Sequence, residues 1–111
     1  MKVLDFDIDF SNFIACIHLI YLIGNCFLVN KDYYGKNIGQ GECPRRDSLA
    51  KCQELCQQTA TCIKFTYVTD SYNGKFGAAI RRSCCLKADA SIKAVVEPGT
   101  ISGPKICQGK V

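Results

Sequence analysis

The sequence predicts a small, disulfide-rich α+β domain, and three observations point to it. A run of helical period from Asp47 passes directly into a run of strand period that ends at Tyr67. Shorter strand patterns follow, bounded by turn residues. Nine cysteines in 111 residues are several times ordinary usage and are spread along the chain, which reads as a disulfide framework and not as the paired knuckles of a zinc ribbon. A chain of this length holds one domain at most.

The first element is an uncharged apolar run, Phe13 to Val29. It is long for the core of a signal peptide and marginal for a membrane span. Its leading flank holds Lys2 but also Asp5, Asp7 and Asp9, a departure from the usual positive start; its trailing flank holds Lys31 and Lys36. Under the positive-inside tendency a retained helix would leave the cysteines in the cytosol, where thiols stay reduced. That outcome conflicts with a disulfide framework, so residues 1–30 are read as a cleaved signal peptide and 31–111 as the domain, with a retained signal anchor as the alternative. A cut after Gly24 keeps Cys26 and leaves eight cysteines; a cut after Cys26 leaves seven and strands one thiol.

Asp32 to Gly41 reads as a short strand around Tyr33 and Tyr34 followed by loops. One tyrosine is expected to pack on the sheet and the other to cover its edge, which a small core needs more than it needs a tyrosine binding patch. Cys43 and Pro44 close the loop ahead of Arg45 and Arg46. Asp47 or Ser48 then supplies a helix N-cap, and Cys52 and Cys56, one turn apart, share the inner face with Leu49 and Leu55 nearby. Thr59, Ala60 and Thr61 end that period. From Cys62 the chain alternates, with Ile63, Phe65 and Tyr67 on one side and Lys64 and Thr66 on the other, the pattern of a half-buried strand. The spacing lets Cys56 meet Cys62 across the turn if the pair is oxidised, and sends Cys52 to a more distant partner.

Asp70 to Gly77 has turn chemistry throughout, with Asn73 and Gly74 as a strong turn pair, and reads as a hairpin or an exposed loop. Ser83 to Lys87 is a short strand on which Cys84 and Cys85 point to opposite faces. Leu86 shares the face of Cys84, which makes Cys84 the partner of Cys52 and leaves Cys85 as the odd cysteine. Ala88 to Pro98 lacks a sustained pattern and reads as a loop. Thr100 to Cys107 is a final short strand broken by Gly103 and Pro104.

The pieces SLAKCQELC, CIKFTY, CCLK and GTISGPKIC, with the fainter opening YYGKNIG, resemble the PAN/Apple family in content and order, from about Tyr33 to Cys107. The resemblance implies an antiparallel sheet crossed by one helix, with Cys52–Cys84 and Cys56–Cys62 pinning the helix to the sheet. It also implies a third bridge, Cys43 to Cys107. Cys85 stands where the family usually has a non-cysteine residue, which leaves it open to an extra bridge with Cys26 or to a link with another chain.

Catalytic chemistry finds no support. The only histidine, His18, lies inside the apolar run, so a cysteine or serine nucleophile in the domain would lack the usual base. No Gly-rich phosphate loop occurs, the acidic residues from Asp32 onward are scattered, and no C-x-x-C pair suggests redox work. No cofactor or metal is expected. Removing residues 1–30 takes away one lysine and three aspartates and raises the formal net charge from +4 to +6. Arg45 and Arg46 precede the helix, while Arg81 and Arg82 precede the strand bonded to it. These four, with Lys75, are the candidate patch for a sulfated glycan or an acidic protein surface, although arginine pairs are also ordinary solvated surface.

The expected function is that of a secreted extracellular module binding a protein or carbohydrate. The alternative is a structural protein crosslinked through Cys85 or Cys26 into disulfide-linked dimers or a matrix. Nucleic acid is not an expected partner of an exported chain, and a membrane enters only through a retained anchor.

Overall fold

The structure is a computed structural model and describes residues 26–39 and 41–107. Residues 1–25, with Cys16, His18 and most of the expected signal segment, lie outside the described residues. The chain forms strand β1 (Leu28–Tyr33), helix α1 (Leu49–Gln58), β2 (Lys64–Val68), a 3₁₀ turn (Ala78–Ile80), β3 (Cys84–Lys87) and β4 (Ala94–Pro104). The strands make one sheet in the order β1-β4-β2-β3, with every neighbouring pair antiparallel. This is an α+β, disulfide-rich domain of the expected class.

Ser48 caps α1: its hydroxyl accepts the Lys51 N–H at 3.1 Å, which satisfies one of the free N–H groups of the first turn. At the far end Thr59 leaves helical conformation and its hydroxyl donates to the Leu55 carbonyl at 2.8 Å. Cys52 and Cys56 are fully buried on the inner face, and Leu49 and Leu55 pack beside them over Phe65, Tyr67, Cys84 and Leu86. Phe27 extends this layer, its ring centroid 6.4 Å from that of Phe65. Gly103 makes room for it, since a Cβ there would lie 2.6 Å from the Phe27 ring.

β2 is buried on both faces and not on one. Thr66 and Val68, which alternation assigned to solvent or left outside the pattern, are as buried as Phe65 and Tyr67. β2 is a central strand, flanked by β4 and β3, and on its second face Thr66 is met by the end of β1 at Tyr33. Thr66 and Ser102 pair at 2.7 Å on that face, and Thr66 accepts the Tyr33 N–H at 2.9 Å. Ile63 falls just before the strand and is exposed.

Two expectations about the ends of the domain, the extent of the first strand and the loop from Ala88 to Pro98, need correction. β1 begins at Leu28 and ends at Tyr33; its first half was hidden in the apolar run, and a boundary after Asn30 cuts through it. Tyr33 packs under Lys64, whose Nζ lies 4.2 Å from the ring centroid, while Tyr34 stays exposed. Ala94 to Pro98 is strand and not loop, because Ala94, Val95 and Val96 pair with Tyr33, Asp32 and Lys31. Between Val96 and Ile101 β4 carries extra residues opposite Asn30, and Pro98 and Gly99 sit in that irregularity. A bulge of this kind removes the period-two signal.

Four disulfides lock the fold. Cys52–Cys84 and Cys56–Cys62 pin α1 to β3 and to the start of β2. The other two differ from the expected Cys43–Cys107 pair: Cys43 is bonded to Cys85, and Cys26 to Cys107. The reason lies in strand order. Cys84 N–H donates to the Pro44 carbonyl at 2.7 Å and Arg45 bridges Ser83, so residues 43–45 run along the free edge of β3 and place Cys43 beside Cys85. Cys107 follows β4, and the Leu28–Ser102 register brings Cys26 to that end. Cys85 and Cys26 are therefore both engaged within the chain.

Candidate binding surfaces

Two surfaces gather functional side chains. The first is the edge built by the four arginines. Arg45 pairs with Ser83, and the Arg46 N–H donates to the Arg82 carbonyl at 2.9 Å; two short segments 36 residues apart in sequence thus lie side by side. Their guanidinium groups are held differently. Arg45 donates to the Ala79 carbonyl at 2.9 Å, Arg81 to the Tyr72 carbonyl at 2.8 Å and Arg46 to the Arg45 carbonyl at 2.7 Å. None of these acceptors carries charge, so three guanidinium groups keep their full charge and further N–H donors.

Arg82 is spoken for. It forms a two-pronged pair with Asp70 at 3.0 and 3.1 Å, and Asp47 lies 3.7 Å away. The hydrogen bonds from Arg82 hold the Asp70 carboxyl below its ordinary value. Lys75 does not join this edge: it reaches toward the Phe76 ring, 5.3 Å from the centroid, and lines a cleft on the other surface. The candidate patch contracts to Arg45, Arg46 and Arg81.

The second surface is the sheet face away from α1, which sequence reasoning passed over. Here the loop after β1 and the loop from Asp70 to Ile80 wall a cleft of about 390 Å³. Its floor is polar: Thr66 from β2, Lys87 from β3 and Asp32 from β1. Lys87 is only 3% exposed, and its Nζ donates to the Gly35 carbonyl at 3.0 Å and to the Asn37 amide oxygen. Burial lowers its pKa, opposed by the Asp32 charge. Burial likewise raises the Asp32 carboxyl above its ordinary value, against the pull of the Thr66 hydroxyl and the Lys87 ammonium. The rim carries Tyr34 and Phe76, 64% and 53% exposed.

Tyr72 lines a smaller recess beside this cleft, with Lys75 and Glu97. It is 1% exposed, although it lies in a stretch whose composition reads as pure turn, and its hydroxyl accepts the Phe76 N–H at 3.4 Å. No periodicity could have singled it out. The only signal was its being a large ring inside a turn-forming segment.

A family model described as PAN domain matches residues 31–87, about half of the chain, from β1 through β3. The chain belongs to the PAN domain family. No curated protein matches it at a significant level. PAN domains are in general binding modules for protein or carbohydrate and not catalysts. The matched stretch of this PAN domain holds all four arginines, Asp32, Thr66 and Lys87; β4, with Cys107, lies beyond it. Among the described residues no helix is long and apolar enough to cross a membrane, and no three His, Cys, Asp or Glu side chains are grouped to hold a metal.

Proposed function

We propose that this PAN domain is an exported module that binds an extracellular protein or glycan carrying negative charge, through the edge formed by Arg45, Arg46 and Arg81. The observation that carries the reading is the backbone pairing of Arg45 with Ser83. It joins two arginine segments into one surface, and among the described residues only Arg82 is neutralised by a neighbouring carboxylate. Guanidinium groups bind planar anionic groups in two-pronged fashion, which fits sulfate and carboxylate partners.

Export rests on the framework. Four bridges need an oxidising compartment, and the Cys26–Cys107 bond needs Cys26 retained, which favours a cut after Gly24. A retained anchor is less well supported, because β1 claims Leu28 and Val29 and the apolar run from Phe13 to the start of the described domain is well short of the ~20 residues a spanning helix needs. It falls within the range of a signal-peptide core.

The test of the binding reading is retention on a heparin column. The oxidised wild type is expected to elute at distinctly higher salt than a variant with alanine at Arg45, Arg46 and Arg81, with Arg82 left in place for its pairing to Asp70. Equal elution of the two would remove the arginine edge as the contact.

A further inference from the structure

Lys87 is a buried amine with no part in the arginine edge. Among the described residues it makes no salt bridge; its Nζ donates to two neutral acceptors, the Gly35 carbonyl at 3.0 Å and the Asn37 amide oxygen. We infer that Lys87 and Asn37 become joined by an intramolecular amide bond, Nζ to Cγ, which forms in the folded domain with loss of ammonia and with Asp32 as the neighbouring proton carrier. The bond does not depend on the anionic contact.

Placement is the first argument. The Lys87 Nζ lies against the oxygen of the very carbonyl whose carbon it would attack. The backbone holds both partners there: the Ile38 N–H donates to the Leu86 carbonyl at 2.8 Å, so the residue after Asn37 is tied to the residue before Lys87. Two reacting groups fixed side by side no longer have to find each other, which removes much of the entropic part of the barrier. The pair is also withdrawn from water, since Lys87 is buried and Asn37 half-buried.

Chemistry is the second argument. A buried ammonium without a paired carboxylate is costly. Burial accordingly lowers the Lys87 pKa and favours the free amine, the form that is a nucleophile. Asp32 lies on the same cleft floor, and burial raises its carboxyl, as suits a group that must take up a proton and return it. The step balances without a co-reactant. The Nζ lone pair forms a bond to Asn37 Cγ, Asp32 carries a proton from Nζ to the amide nitrogen, and the Cγ–Nδ2 bond breaks as ammonia leaves. A neutral secondary amide then replaces the buried charge, and the loop after β1 gains a tie to β3 that reductants do not cut.

The experiment is mass spectrometry of the protein recovered from secreting cells, fully reduced and alkylated before measurement. Full reduction is essential, because the Cys43–Cys85 bond joins the same two tryptic peptides. The wild type is expected to be lighter than its sequence by one ammonia, and trypsin to release residues 37–45 still joined to residues 83–93, uncut at Lys87. Lys87→Met and Asn37→Ala are expected to show full sequence mass. Asp32→Asn, with its four disulfides formed, should lower the linked fraction roughly tenfold or more. A succinimide at Asn73 and Gly74 would lose the same mass but yields no joined peptide. Full sequence mass in the wild type, or ammonia loss without the joined peptide, would overturn the inference; wild-type linkage in Asp32→Asn would overturn the part given to Asp32.

Discussion

Cys26 is bonded to Cys107 across 81 residues of chain, and the bond fastens β1 to the end of β4 at the point where Phe27 packs on Phe65. It closes nearly the whole domain into one covalent loop. Its position decides where the folded unit starts, which cysteines are spent, and which thiols remain for chemistry with other chains.

Removal of that bond should be costly. A loop of this length restricts the unfolded chain by about 4 kcal/mol, large against the stability of a domain too small for an extensive core. The Cys26→Ser/Cys107→Ser variant is expected to lose about that much in urea unfolding, with faster amide exchange at Leu28 and Val29. A loss under about 1 kcal/mol would mean that β1 is held by its strand pairing alone.

Gly99 is required by two constraints at once. Its φ is +90°, and a Cβ there would lie 2.5 Å from the Tyr72 Cα and 2.9 Å from its nitrogen, backbone atoms that cannot yield. Gly41 has a similar φ of +93° with nothing within 4 Å. Gly41→Ala should therefore cost about 1 kcal/mol for conformation alone, and Gly99→Ala about 3 kcal/mol or more once the clash is added. Thermal or urea unfolding of the two variants, compared with the wild type, checks the difference.

Two carboxylates should titrate in opposite senses. Burial raises Asp32 above the ordinary 3.8, so the folded state takes its proton more readily than the unfolded chain; stability then falls as pH rises from 3.8 through the Asp32 value. Asp70 is lowered by its Arg82 bonds. Its contribution is present above 3.8 and is lost as pH falls from there through the Asp70 value. Carboxyl carbon NMR titration should place Asp32 above 3.8 and Asp70 below it. Asp32→Asn should remove the first slope and Asp70→Asn the second.

The elements from Ser48 to Tyr67 and the Cys56–Cys62 bond were legible, because helical and strand periods adjoin there and the cysteine spacing admits few pairings; the burial of Thr66 and the exposure of Ile63 were not. Cys52 and Cys84 followed from which face Leu86 shares. Only the end of β1, at Tyr33, was legible; Leu28 and Val29 continue an apolar run that serves a signal core and a strand equally well. The first half of β4 escaped because Pro98 and Gly99 sit in a bulge that breaks alternation. The arginine pairs could be placed near each other by the Cys52–Cys84 bond, but not the capture of Arg82 by Asp70, which depends on where the loop after β2 turns. The polar cleft was invisible for a related reason: Asp32, Thr66 and Lys87 come from three strands, and alternation alone reads each as a solvent-facing residue.

The most direct measurement is a mass-spectrometric map of the protein recovered from the medium of secreting cells, intact and after non-reducing digestion. The expected result is an N-terminus at Asn25, eight cysteines in four internal bridges, with peptides joining Cys26 to Cys107 and Cys43 to Cys85, and no free thiol. A free thiol at Cys85, a peptide joining Cys43 to Cys107, or a disulfide-linked dimer would contradict it.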